Sequence, residues 1–353
     1  VYDAGRRETS RTQGNGITTT RTYRNDNLVD SITASGVVSF NYLYDANKRK
    51  TSVIDASLPA WSQTFAYDAE DRLIDWNRVG GDVGVSAATT QSWDLSLVGD
   101  WQSTTRDGIQ ENRLHNAAHE ILTTQVDPSS PVEALQHDDK GNLTLDPNRE
   151  SGTYVWDFDN RMVTAADTSL SRTHSYRYDA LGRRVQKSVT NPDTTVTTTT
   201  YILAGAQVLT ELENGTSSIS YVYGAYVDEP LVRIEHQSAD EKTYYHADHR
   251  YSIAALSNDV GAVTHRYGYD AYGNRIDFDA TGVVVTVNDS GDRFHSYGHV
   301  GRRHDHEIGL QYFRARYYDA GFGRFLTRDS LRYIDGYSLY QSYFSPNGLD
   351  PSG

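Results

Sequence analysis

One motif returns along this chain and restricts what it can fold into: an aromatic residue, an aspartate, a short turn, then arginine or asparagine beside an aliphatic residue. YDAGRRE opens at Tyr2, YRNDNLV at Tyr23, YDANKRK at Tyr44 and YDAEDRL at Tyr67, a period of roughly 21 to 23 residues that signals repeat architecture. HDDKGNL at His137, WDFDNRM at Trp156, YDALGRR at Tyr178 and YDAYGNR at Tyr269 continue the series. Two strands of ordinary length and two turns use about that many residues, so each unit reads as one hairpin added to an antiparallel sheet. In YDALGRR, Asp179 suits the first position of a type I turn and Gly182 the left-handed position that closes a hairpin with a bulge. Asn27, Asp71 and Asn160 replace that glycine elsewhere, residue types that tolerate left-handed geometry, and Lys48 is the exception.

The pattern fades between Trp76 and His137, where SWDLSLVGDW near Trp93 is a weak copy. A degenerate repeat and a longer loop around Gly80 and Gly81 both fit that gap. Helical periodicity is confined to residues 112–122, the one stretch that reads as a short helix. Thr194 to Tyr201 and Ile219 to Tyr223 are strongly strand-favouring.

Composition bears on how such a sheet could pack. Hydrophobic residues, tyrosine included, make up only 37% of the chain, so one thick sandwich core is not expected. The 26 tyrosines and abundant threonine suit a thin sheet wetted on both faces, with amphipathic rings supplying the packing. The formal charge of -14 repels phosphates and anionic lipid, which argues against nucleic-acid partners. No run approaches the roughly 18 apolar residues of a membrane helix, so insertion by such a helix is not expected. Without cysteine there are no disulfides, thiol nucleophiles or thiolate metal sites. Starting within a repeat and holding one methionine, Met162, the chain reads as a piece of something longer.

The last fifth is different in kind. GLQYFRARYYDAGFGRFLTRDSL runs over residues 309–331, and SPNGLDPSG closes residues 345–353. Tyrosine, arginine and aspartate at fixed offsets around Gly321 and Gly323 read as strand, glycine turn, strand. Arg316, Tyr317, Tyr318, Asp319, Gly323, Arg324, Phe325, Leu326 and Asp329, with Asp350, Pro351 and Gly353, closely resemble the core motif that follows the repeats in RHS/YD-repeat proteins. YYHADHRYSIAAL at Tyr244 resembles the segment leading into that core, with Arg250 and Tyr251 in place of the usual Leu-Gly. Ala320 and Ser330 stand where the family carries proline, which loosens a turn and a loop.

The resemblance, to a group that includes insecticidal-toxin C subunits and teneurins, implies an all-β fold. Antiparallel hairpins would spiral into a hollow YD shell over residues 1–297, closed by a core plug over residues 298–353. It also implies an activity. In bacterial members the core is a self-cleaving aspartyl protease that cuts just after the D-P-x-G turn and releases a C-terminal toxin; its roles fall here on Arg316, Asp329 and Asp350. The implied partners are an effector domain beyond residue 353, further N-terminal repeats of the same chain, and a carbohydrate or protein receptor, in a secreted or cell-surface setting. The alternative is a teneurin-type surface or adhesion protein that cuts nothing.

Other chemistry has weaker footing. No G-x-S-x-G elbow, P-loop or H-E-x-x-H occurs, and no cofactor is expected. His304, Asp305, His306 and Glu307 could ligate a metal, but on a strand His304 and His306 share one face while Asp305 points away, so a polar edge is the better reading and no metal is expected. His246 and Asp248 read as a hydrogen-bonded pair holding the sheet.

Overall fold

The structure, a computed structural model, describes residues 1–80, 89–149, 152–168, 170–236, 239–285, 296–334, 336–342 and 348–353. Gly81 and residues 345–347 of the closing segment lie outside them. The described strands form three antiparallel sheets of 12, 14 and 4 strands, in each of which neighbours in sequence are neighbours in the sheet. Regular helix is limited to three single 3-10 turns, Pro59–Trp61, His299–Gly301 and His306–Ile308, among the described residues. The chain gathers into two compact units. One is Val1–Ser92 with Val222–Gly301 and Ser345–Leu349; the other is Trp93–Tyr221 with Arg302–Phe344 and Asp350–Gly353.

Each residue type in the repeat has a physical duty. Asp45 Oδ1 accepts the backbone N–H groups of Asn47 and Arg49, both at 2.9 Å, while its Oδ2 takes Arg49 Nε at 2.7 Å. Asp68, Asp157 and Asp179 repeat that pattern with Arg72, Arg161 and Arg183. The residue three past the aspartate is left-handed whatever its type: Lys48 at φ 65°, Asp71 at 63°, Asn160 at 63°, Gly182 at 75° and Gly273 at 96°. So the exception at Lys48 is one of residue type only. The carboxylate that ties down two turn amides holds even lysine in that conformation.

The aromatic residue links successive hairpins. Tyr44 donates to the Val29 carbonyl at 2.9 Å, Tyr67 to Lys50 at 2.6 Å, Tyr178 to Met162 at 2.7 Å and Tyr269 to Ile253 at 2.7 Å. Trp156 uses its indole N–H on Leu143 in the same way, at 2.7 Å. The turn arginine of one unit then lies over the tyrosine of the next, with Arg49 5.0 Å from the Tyr67 ring centroid and Arg161 5.3 Å from that of Tyr178. Such contacts contribute about 0.5–1 kcal/mol each at exposed sites.

Two expectations are corrected. Residues 112–122 are not helical: Ile109–His115 and Ile121–Val126 are paired antiparallel strands, joined by a turn in which Asn116 Oδ1 accepts the Ala118 and Glu120 amides at 2.9 and 3.1 Å. Ser96 plays that role in the preceding hairpin, accepting the Asp100 amide at 3.1 Å with Gly99 at φ 90°. The described part of the gap is therefore degenerate repeat. The sheets are also not wetted on both faces. Strands such as Val38–Tyr44 and Arg172–Tyr178 alternate buried and exposed positions, and the inward ones meet in a cluster in each unit. Ile32, Val38, Phe40 and Tyr42 gather in the first. In the second, Tyr154, Met162 and Tyr176 of the repeats pack with Leu310, Tyr317, Phe322 and Leu326 of the C-terminal segment.

Candidate functional site

The C-terminal segment of the second unit places its own polar side chains by the glycine turn read from the sequence. Arg316–Asp319 pairs antiparallel with Arg324–Phe325, in register Tyr318 with Phe325 and Asp319 with Arg324. Arg113 clamps the turn between them by donating to the Gly321 and Phe322 carbonyls, both at 3.1 Å. Gly323 is required there, because it has φ 68° and a Cβ would lie 2.2 Å from the Trp101 ring. Past the turn, the Asp329 amide donates to Leu339 at 2.9 Å, which fixes where the Asp329 side chain starts.

Arg316, Asp329 and Asp350 come together. The Arg316 guanidinium lies over the Phe325 ring at 3.7 Å and donates from Nη1 to the Leu339 carbonyl at 3.3 Å. Its Nη2 is 2.9 Å from Asp329 Oδ2 and 3.8 Å from Asp350 Oδ2. The two carboxylate oxygens are therefore no farther apart than the sum of those distances. Each aspartate spends its other oxygen on its own turn. Asp329 Oδ1 accepts the Leu331 amide at 2.7 Å; Asp350 Oδ1 accepts the Ser352 amide at 3.1 Å, the Ser352 hydroxyl at 3.2 Å and the Gly353 amide at 2.8 Å. Arg316 is 7% exposed, whereas the Asp329 and Asp350 side chains keep 14% and 22%, enough for water to reach them.

The D-P-S-G turn is gripped along its backbone. The Asp350 carbonyl accepts from Arg302, that of Pro351 from Arg314, and that of Ser352 from the Ala315 amide at 3.4 Å. Gly353 has φ 91°, and a Cβ there would fall 1.9 Å from the Phe313 carbonyl oxygen. The sequence reading gave neither Arg302 nor Arg314 a role. Their signal was the excess of arginine around the motif, which spacing alone does not assign to a partner.

A second aspartate–arginine–aspartate cluster was also missed. Arg149 places Nη2 2.6 Å from Asp319 Oδ1 and Nε 3.4 Å from Asp146 Oδ2, and both carboxylates are sealed from solvent. Burial, then the neighbouring Asp319 charge, pushes the Asp146 carboxyl above its usual range. Its enclosure suits a structural tie. The sequence-level reading of residues 304–307 needs revision too: the strand ends at Asp305 and His306 opens a 3-10 turn, so the two histidines do not share a strand face. Asp305 instead meets Arg184, and Glu307 meets Lys187. The expected His246–Asp248 pair does not form. His246 Nε2 bonds the Ser257 hydroxyl at 2.7 Å, and Asp248 Oδ1 caps its own turn through the Arg250 and Ser252 amides.

Comparison with known proteins bears on what this arrangement belongs to. No family model matches the chain. It is 28% identical over 252 residues to a tRNA nuclease, WapA, of Bacillus subtilis, covering 70% of this chain and 10% of that protein. A double-stranded DNA deaminase toxin of Burkholderia cenocepacia is 26% identical over 348 residues, 90% of this chain and 22% of the toxin. Among solved structures, the Tc holotoxin pore of Photorhabdus luminescens superposes on 100% of this chain and 18% of its own with a TM-score of 0.76 at 16% identity. The likeness in fold and sequence joins the hairpin repeats and the assembled core motif. Together these findings support an RHS/YD-repeat protein. The chain spans between about a tenth and a fifth of the length of these curated relatives, and its all-β fold matches that of the RHS shell structures.

Proposed function

We propose that residues 1–297 are part of a shell that encapsulates and delivers a C-terminal effector, and that residues 298–353 are a core that cuts the chain just after Gly353. The observation that carries this reading is the convergence of Asp329 Oδ2 and Asp350 Oδ2 on one nitrogen of Arg316, next to a backbone turn held at three successive carbonyls. The names of two relatives, a nuclease and a deaminase toxin, support an effector as the cargo and extracellular delivery as the setting.

In this reading water adds to the carbonyl carbon of Gly353 while one carboxylate takes its proton. The C–N bond then breaks as the other carboxyl hands its proton to the leaving amine, and the pair ends ready to exchange the proton back through solvent. Arg316 orients both carboxylates and stabilises the developing oxyanion, for which its planar fork is better shaped than lysine. Fixing the turn backbone supplies orientation. The Ser330 loop, where the family carries proline, is closed by Asp329 itself through the Leu331 amide, so proline is not needed to hold that carboxylate.

The test is a chain extended past Gly353 in its native sequence, purified and followed by intact mass. Wild type should cut, and Asp329→Asn, Asp350→Asn and Arg316→Ala should each remain whole while keeping the β-sheet circular dichroism of wild type. Cutting that survives all three changes would remove these residues from any catalytic role and leave the core as a plug.

A further inference from the structure

In the second unit the C-terminal segment meets the repeat strands along a buried polar seam. Asp305 pairs with Arg184, and Glu307 with Lys187. The Arg184 amide donates across the seam to the Tyr312 hydroxyl at 3.1 Å, and its guanidinium donates to the Tyr317 hydroxyl at 2.8 Å. His174, on the strand Arg172–Tyr178, stands in this seam with 1% of its surface exposed, and neither of its ring nitrogens has a hydrogen-bond partner. Its Nδ1 is 3.9 Å from Glu307 Oε1, too far for a hydrogen bond. That oxygen is the one Lys187 takes. The other Glu307 oxygen lies 3.1 Å from His306 Nδ1. Lys187 from the next strand, Asp167 from the preceding one and Asp305 from the C-terminal segment also face the imidazole, with Arg184 behind Asp305.

We infer that His174 is an acid-sensing switch whose protonation parts residues 305–307 of the C-terminal segment from the repeat strands. A charged imidazole donates from both nitrogens and needs acceptors within about 3.2 Å. Glu307 Oε1, the carboxylate oxygen beside it, is already held by Lys187. A proton on His174 therefore either stays unsatisfied inside the seam or competes with that pair. Burial, against the pull of the Glu307 charge, holds His174 below its ordinary value near 6.5. At Glu307 burial is outweighed by the Lys187, His306 and His174 charges, which hold its carboxyl well below the usual range, so the carboxylate does not titrate with the imidazole. An opened seam hydrates His174 and lets it take up a proton at the ordinary value. The closed seam is thus at full stability above a pH of about 6.5 and loses it as pH falls toward the lower value of the buried ring. The switch uses none of Arg316, Asp329 and Asp350, and it stands whether or not the chain is cut.

Residue-resolved hydrogen exchange on the whole 353-residue chain reads the seam through the Arg184 amide, whose bond to the Tyr312 hydroxyl breaks when the seam opens. Its protection factor should be level above about pH 7 and fall by up to roughly tenfold per pH unit below about 6.5. Level protection from about pH 7 down to about pH 5 would overturn the switch. His174→Gln keeps a polar side chain that cannot take a charge, and His174→Phe fills the space without a nitrogen. Each should keep the wild-type circular dichroism and show level protection over the same window, and a wild-type slope that persists in the folded variants would also overturn it. Should neither variant fold, exchange of the His174 ring carbon proton in the wild-type chain decides. A titration midpoint below 6.5 is expected, whereas one at or above that value would mean that the closed seam accepts the proton and there is no switch.

Discussion

Gly182 and Gly273 occupy the same turn position, yet their surroundings differ enough to separate two causes of cost. A Cβ at Gly182 would meet nothing nearer than 3.9 Å, whereas one at Gly273 would lie 2.5 Å from the His299 ring. Gly182→Val should therefore cost only the backbone strain of a β-branched residue at φ 75°, about 1–3 kcal/mol. Gly273→Val should cost more, and chemical denaturation of both variants checks the order; equal stability losses would contradict the clash. The Asp146–Arg149–Asp319 cluster gives a second residue-level outcome. Because the Asp146 carboxyl is raised, its contribution is fully present below the unfolded value near 3.8 and is lost as pH rises through the folded value. Asp146→Asn should flatten that acid-side dependence and leave Tm at neutral pH unchanged or higher. Asp319→Asn, which strips the closer ion-pair partner from Arg149, should lower stability by about 3–5 kcal/mol. A fall in neutral-pH Tm for Asp146→Asn would show that the charge, not the shape, of that side chain is needed.

At the scale of the hairpin, the repeat is a set of interlocking duties, and each can be removed singly. Tyr67→Phe and Tyr178→Phe delete one hydroxyl each from the links to Lys50 and Met162, and each should cost about 1 kcal/mol. The two changes share no partner, so the double variant should lose the sum within about 0.5 kcal/mol; strong non-additivity in denaturant melts would show that the hairpins are not independent units. The turn aspartates add a pH term. The Arg183 side-chain hydrogen bond, with the Arg183 and Leu181 amides, holds the Asp179 carboxyl below its ordinary value. That stabilisation is present above pH values near 3.8 and is lost as pH falls through the lower folded value. These turns were legible in the sequence because aspartate and a left-handed residue three positions on are the turn's own chemistry. The turns at Ser96 and Asn116 were not, because serine and asparagine do the aspartate's work there and Leu95 and His115 stand in place of the tyrosine. The strand Ile109–His115 was further disguised by Arg113 at an inward position, held by Glu111 at 2.5 Å and by two backbone carbonyls.

For the molecule as a whole, the low apolar share marked an unusual core, but only the structure shows how it is filled. Buried arginines stack on tyrosines: Arg184 lies 4.2 Å from the Tyr312 ring centroid and 5.3 Å from that of Tyr176, and is paired with Asp305. That pair spans more than a hundred positions of sequence, and no local pattern announces it. The meeting of Arg316, Asp329 and Asp350 was legible through their motif, while the grip of Arg302 and Arg314 on the final turn was not, since a backbone carbonyl leaves no trace in sequence. The central claim, that Asp329 and Asp350 direct hydrolysis at Gly353, is tested most directly by folding the natively extended chain in heavy-oxygen water and weighing the products. The expected result is an N-terminal fragment ending at Gly353 with one heavy oxygen in its new carboxylate, together with the complementary C-terminal fragment. A single uncut mass, or a break at another bond, would contradict it.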